Sequence, residues 1–335
     1  MRKRRAARSR GLRAIALCMM LAAPGLCVAQ AAAPLRTFDV EGHRGARGLA
    51  PENTLAAFRR AIEIGVTTIE TDVGVTKDLV PVISHNPNLV PELVRDATGQ
   101  WLSAPGPSIH SLTLDALRRY DIGRTNPATK YARDFPEQRA SEGERFPTLR
   151  ELLQLVANAP SPVRLNIETK LTPDNAGDTV DAATFVRLIL DEVHAAKLTG
   201  RVTIQSFDWR TLVLVKQLAP EVRTSCLTIE SGGMNTMARG TDGKSPWHAG
   251  LDDARYRSVP ALVTAAGCGT WSMFWRNLTP AALADAHALG LTVLPWTVDA
   301  PGDMERLIEM GVDGLITDYP DRLRTVMAGR GLALP

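Results

Sequence analysis

Beyond residue 31, the 335-residue chain has no apolar run long enough to cross a bilayer, so the mature chain offers no stable membrane span. Cysteine is scarce, with four in all, and none falls into a Cys/His spacing that would hold zinc. Neither sign of charge dominates, with 39 Lys and Arg against 36 Asp and Glu. No Ser-His-Asp arrangement can be assembled from the order of the residues.

The one segment of extreme composition is the first. Arg2, Lys3, Arg4, Arg5, Arg8, Arg10 and Arg13 precede an apolar run from Ala14 to Ala29, and small residues follow at Ala31, Ala32 and Ala33. This three-part pattern predicts a secretory signal peptide over 1–31, with Ala29-Gln30-Ala31 as an A-x-A cleavage site. A retained anchor is the other reading, but the run is short for a span and is broken by Pro24 and Gly25. Cys18 and Cys27 each follow a leucine, which does not resemble a lipoprotein site. Removing 1–31 takes seven basic residues and moves the formal charge from +3 to −4. The basic balance therefore belongs to the leader, and a nucleic-acid partner is excluded. A periplasmic or secreted location is expected. There Cys226 and Cys268 can form a disulfide, or they can be two small buried apolar residues.

The remainder alternates strand and helix patterns. Strands are predicted at 38–42, 67–73, 164–169, 201–206, 222–228, 269–273, 291–298 and 314–317. Helices are predicted at 54–64, 148–157, 182–197, 209–218, 280–289 and 303–310. Thr148 with Glu151 three residues later reads as a capping box. The run 80–84 follows strand two closely and reads as a hairpin arm. Residues 86–146 break the rhythm and are read as an insertion with structure of its own, its best helix at 112–120. Residues 230–257 are loop-like, with no helix legible. Eight strands alternating with helices predict an α/β fold: a (β/α)₈ TIM barrel over 38–328, with an insertion between strand 2 and helix 2.

A barrel works at the C-terminal ends of its strands. Those ends carry His43-Arg44, Glu70-Thr71-Asp72, Glu168-Thr169-Lys170, Gln205-Ser206-Phe207, Trp296-Thr297 and Thr317-Asp318, with His85 ending the hairpin arm. Glu70 and Asp72 are two apart on a strand and share a face. With Glu168 they make a carboxylate set suited to Ca²⁺, and next to Mg²⁺. His43 and His85 fit a general acid/base pair. Arg44 and Lys170 fit as charges that neutralise a phosphate. Those parts are what phosphodiester cleavage needs. Singly, each has a plainer reading: a solvated histidine, a capping carboxylate, a packed Trp296. Their weight lies in arriving at one rim.

In order, His43-Arg44-Gly45, Pro51-Glu52-Asn53-Thr54, Glu70-x-Asp72, Thr76-Lys77-Asp78 and Val82-Ile83-Ser84-His85-Asn86 resemble the motifs of the glycerophosphodiester phosphodiesterase family. Glu168-Thr169-Lys170, Gln205-Ser206-Phe207, Trp296-Thr297-Val298 and the stretch 314–320 continue the resemblance, which covers 38–328 and is weakest in 86–146 and 228–268. It implies the same barrel and a small glycerophosphodiester as substrate. It implies His43 and His85 as the acid/base pair, Glu70, Asp72 and Glu168 as ligands of a divalent metal, and Arg44 on the phosphate. Lys170 matches a basic position near the substrate, and Phe207 and Trp296 would line the alcohol side. Asn86 departs from the pattern by standing where the family has Asp, which leaves His85 without a carboxylate neighbour. Three rivals stand beside this reading. A phospholipase-D-like relative acting on lysophospholipids or sphingomyelin would show an apolar patch on the insertion, which is instead polar and Pro-rich. A metal-free glycosidase would need neither histidine. A non-catalytic binding protein would keep the pocket without turnover.

Overall fold

In the computed structural model, which describes residues 38–173, 177–240 and 242–334, the alternating strands and helices wrap into a parallel barrel. The predicted leader, 1–31, lies outside the described residues. The strands are β1 (Asp39–Gly42), β2 (Thr68–Val75), β3 (Pro81–Ile83), β4 (Arg164–Thr169), β5 (Val202–Ser206), β6 (Arg223–Thr228), β7 (Thr270–Met273), β8 (Thr292–Val293) and β9 (Gly314–Thr317). Eight are parallel, in the order β8-β7-β6-β5-β4-β2-β1-β9, while β3 pairs antiparallel with β2 alone. The ends of that path meet through backbone bonds. Asp313 N–H donates to the Val293 carbonyl at 3.1 Å, Ile316 N–H to Pro295 at 3.0 Å, and Val298 N–H to Ile316 at 3.0 Å.

The helices are α1 (Leu55–Ile64), α2 (Leu114–Leu117), α3 (Lys130–Asp134), α4 (Leu149–Ala157), α5 (Ala182–Ala195), α6 (Trp209–Leu218), α7 (Val259–Ala265), α8 (Pro280–Ala288), α9 (Pro301–Met310) and α10 (Pro320–Gly329). None of the described helices is long and apolar enough to cross a membrane. The capping box predicted at Thr148 and Glu151 forms and starts α4. That helix buries Leu149, Leu152, Leu153 and Val156 against the barrel. Each such side chain contributes about 1.5–3 kcal/mol of transfer free energy.

The differences from the sequence reading have local causes. Strand 291–298 is regular only over Thr292–Val293, because Pro295 has no N–H to give to a ladder. The helix missing from 230–257 forms later, as α7, and its seven residues are too few to show a period. α9 begins two residues early, with Pro301 in the first turn, where its absent N–H costs nothing. α10 was not read from the sequence; it buries Leu323, Val326 and Met327. Between β3 and α4 the chain carries α2 and α3 and a small apolar cluster of its own around Leu89, Val94, Ile109, Leu117, Ile122 and Phe146. Of the two readings of the cysteine pair, the disulfide is the one that forms: Cys226 in β6 is bonded to Cys268, just before β7.

Candidate active site

Parallel register builds the acidic centre. Asp72 of β2 pairs with Glu168 of β4, and Glu70 lies two residues back on the same face of β2. The three carboxylates are buried, and one oxygen from each lies within 4.8 Å of the others. Both Glu70 oxygens are held. Oε2 accepts the Arg44 backbone N–H at 2.9 Å, and Oε1 accepts from Gln205 Nε2 at 2.9 Å. Asn166 fixes the Gln205 amide by donating to its Oε1 at 3.0 Å, while also donating to Glu41 deeper in the barrel. Asp72 accepts from Asn53 Nδ2 at 3.0 Å and lies 3.4 Å from Arg44 Nε. Lys170 Nζ is 2.8 Å from Glu168 and 3.6 Å from Asp72.

The electrostatics of this cluster are divided. Burial lifts Glu70 well above the carboxylate range, and the charges of Asp72 and Glu168 lift it further. Burial also pushes Glu168 up to about 7, against the pull of Lys170. Burial acts on Asp72 too, but His85, Arg44, Lys170 and Asn53 outweigh it and hold that group well below the usual range. Three close carboxylates thus carry less than three charges on their own. A hard divalent cation removes that frustration, and an all-oxygen donor set matches Ca²⁺ or Mg²⁺ better than zinc.

The two imidazoles differ in their partners. His43 Nδ1 lies 2.7 Å from Asp318 Oδ1, and its Nε2 lies 3.9 Å from Glu70. Arg47 grips Asp318 at both oxygens, at 2.8 and 2.6 Å. His85 Nδ1 instead faces an amide oxygen, Asn86 Oδ1, at 3.1 Å. Burial lowers both histidines. Arg47 adds to this at His43 while Asp318 opposes it. Arg44 and Lys170 take His85 well below its ordinary value against the pull of Asp72, a carboxylate neighbour that the Asn86 departure had led the sequence reading to deny it.

The loop after β1 is shaped for this. Arg44 adopts a left-handed φ of 49°, and Gly45 follows at 89°. A Cβ on Gly45 would come within 2.7 Å of the Ala57 backbone, so only glycine lets α1 approach.

A cavity of about 260 Å³ at the mouth is lined by His43, Arg44, Glu70, His85 and Glu168, together with Phe207 and Trp296. Lys170 lines an adjoining chamber of about 390 Å³ that shares Phe207 and Trp296. The Phe207 and Trp296 rings meet edge to face, 5.5 Å apart. Asp72 lies under the Arg44 and Lys170 side chains and lines neither space. All nine residues singled out in the sequence thus gather at one end of the barrel. Sequence reasoning gave no role to Asp318, Arg47, Glu52 or Asn53. Asp318 was among the strand-end residues, and Glu52 and Asn53 lay inside a noted motif, but their partners appear only once the sheet closes.

Packing does not explain so much buried charge at the mouth of a barrel whose core between strands and helices is apolar. The molecule is of the class of (β/α)₈-barrel enzymes, with a site suited to an anionic substrate. A family model described as the glycerophosphoryl diester phosphodiesterase family matches residues 43–322. A glycerophosphodiester phosphodiesterase of Caldanaerobacter subterraneus subsp. tengcongensis is 31% identical over 284 residues, covering 85% of this chain and 95% of that protein. The solved structure of a candidate glycerophosphoryl diester phosphodiesterase from Silicibacter pomeroyi superposes with a TM-score of 0.79 at 34% identity, covering 90% of this chain and 96% of that one. A phosphodiesterase from Oleispira antarctica, solved with the product sn-glycerol-3-phosphate, shares the fold, with a TM-score of 0.63 at 20% identity and coverage of 87% and 96%. The chain belongs to the glycerophosphoryl diester phosphodiesterase family and is a phosphoric diester hydrolase.

Proposed function

We propose that the enzyme hydrolyses glycerophosphodiesters such as glycerophosphocholine or glycerophosphoethanolamine to glycerol 3-phosphate and an alcohol, after export to the periplasm or beyond. The observation that carries this is the meeting of His43, His85, Glu70 and Glu168 on one cavity, with Arg44 beside them and Asp72 completing the carboxylate cluster behind. Glu70, Asp72 and Glu168 would hold one divalent cation, Ca²⁺ in first place and Mg²⁺ in second. Such an ion offsets negative charge on phosphate oxygens in the transition state. Arg44 gives Nη1 to Glu52 and sets Nε 3.4 Å from Asp72, which leaves Nη2 for a phosphate oxygen. Lys170 adds charge from the neighbouring chamber.

The histidine partners suggest a division of labour. With Nδ1–H donating to the Asp318 carboxylate, His43 keeps Nε2 free to accept a proton from the attacking hydroxyl. Asp318 then steadies the imidazolium. With Nδ1 toward the Asn86 amide, His85 presents Nε2 to the leaving alkoxide. An amide holds an imidazolium less firmly than a carboxylate, so a proton placed on His85 passes readily to the alkoxide. The attacking hydroxyl is water or the substrate's own 2-hydroxyl. An analogue lacking that hydroxyl separates the two, since normal turnover excludes a cyclic phosphate.

The alcohol would lie against Phe207 and Trp296, with Trp247 further along the second chamber. Aromatic faces attract a quaternary ammonium without demanding directed acceptors, which favours choline over ethanolamine. Leu171, Ile229 and Met234 make the same chamber apolar, and this supports a second reading in which a lysophospholipid is the substrate.

The test is release of glycerol 3-phosphate from glycerophosphocholine with Ca²⁺ or Mg²⁺ and after chelation. Ion-dependent release that disappears in His43→Ala supports the reading. Release that survives both treatments overturns it, and turnover of lysophospholipid alone selects the second reading.

A further inference from the structure

The helix α3 lies far along the chain from the β1 loop, yet its side chains reach the residues behind the cavity. The Tyr131 hydroxyl donates to Glu52 Oε2, 79 positions away. The other Glu52 oxygen, Oε1, accepts from Arg44 Nη1 at 2.7 Å. Glu52 is buried, and Arg47 Nη1 stands 3.8 Å from its Oε2. The same segment also holds the loop by other means. Arg47 stacks over the Phe135 ring at 4.7 Å, Gln138 Nε2 donates to the Arg47 carbonyl at 2.7 Å, and Arg139 N–H donates to the Leu49 carbonyl at 3.0 Å.

We propose that Tyr131 is a positioning residue for Arg44, acting through Glu52, so that α3 sets the enzyme's hold on the phosphate. The chemistry is simple. Glu52 is a buried carboxylate shared by two guanidinium groups, and its own orientation decides where the Arg44 fork points. A hydroxyl donor on Oε2 fixes that orientation and leaves Oε1 for Arg44. Without the donor, Oε2 turns toward Arg47 and the Arg44 fork follows the carboxylate. The proposal rests on Arg44 as the phosphate contact.

Tyr131→Phe removes the hydroxyl and keeps the ring. It is expected to lower kcat/KM for the glycerophosphodiester roughly tenfold, through KM, and to raise the inhibition constant of glycerol 3-phosphate by a similar factor. In a Glu52→Gln background the same change has no further effect, because the link is already broken. Lys130→Ala, exposed on the same helix, leaves all constants at wild-type values. A purely structural role would lower the thermal midpoint and the active fraction while KM and the inhibition constant stayed put; that result, or wild-type kinetics in Tyr131→Phe, overturns the proposal. If Tyr131→Phe does not fold, Glu52→Gln tests the link from its other end and must move both constants. Arg44→Lys separates the two levels. If it leaves the glycerol 3-phosphate constant unchanged, the phosphate role of Arg44 fails. If it moves that constant and Tyr131→Phe does not, only the positioning role fails.

Discussion

Asp318 places a carboxylate oxygen 2.7 Å from Nδ1 of His43, across 275 positions of sequence. The contact exists because β9 pairs with β1, bringing the first and last strands of the barrel together. Arg47 and His43 outweigh the effect of burial on Asp318 and keep it ionised, with its pKa far below the ordinary value. The pair fixes the imidazole tautomer and supplies the counter-charge for a protonated ring.

Asp318→Asn is therefore expected to lower kcat by about 100-fold or more while changing KM little, since general acid/base assistance contributes 10²–10⁴. Steady-state kinetics with glycerophosphocholine checks this. A wild-type kcat would remove Asp318 from the mechanism.

Metal binding should depend on pH. Glu168, at about 7, and Glu70, held higher than usual, retain protons near neutrality when no ion is bound. A cation needs them ionised, so its uptake releases protons and its affinity rises as pH climbs through 7. The ion-free protein loses stability as pH rises from about 4.5 to those raised values, because across that window its unfolded chain has given up these protons and the folded chain still holds them. Calorimetric titration in buffers of different ionisation heat measures the proton release, and Glu168→Gln should diminish it.

The bond between Cys226 and Cys268 closes a loop of 42 residues, which in the chain-entropy account contributes about 4 kcal/mol. Both sulfurs belong to the core behind the strands and away from the cavity. Cys226→Ala with Cys268→Ala should lower the thermal midpoint clearly and leave KM unchanged. A large change in KM would mean that the bond shapes the mouth.

His248 is buried, stacks on the Trp209 ring at 4.5 Å, and is held down to about 4 by burial. Its pKa is lower in the folded state than in the unfolded one, so the unfolded chain binds the extra proton between about 6.5 and 4. Stability from this group is complete above that window and is lost as pH falls through it, by at most roughly 3 kcal/mol. His248→Phe should flatten the acid limb of a stability–pH curve. An unchanged limb would place the acid sensitivity elsewhere.

Most of the barrel was legible because its signals are local. Thr148 and Glu151 announce α4 within four residues, and the apolar runs of β4 and β9 stand between clear turns. Glu70 and Asp72 were legible as a pair because strand period alone puts them on one face. What could not be read was pairing at a distance. Glu168 was expected on the strand beside Glu70 and Asp72, but its level opposite Asp72 follows from register, and the contact of Asp318 with His43 from the closing of the first strand on the last. α7 and α10 escaped for a different reason, being short or placed after the last strand, where no further strand marks an end.

The ties from Phe135, Gln138 and Arg139 to the β1 loop have a consequence for protein engineering. Segments hung on a barrel rim are attractive cassettes, to be exchanged between relatives in order to change substrate choice. Here the cassette shares a wall with the chassis. A chimaera that imports a foreign segment between β3 and α4 must carry its own matching version of residues 47–52, or the transplanted piece will find no socket.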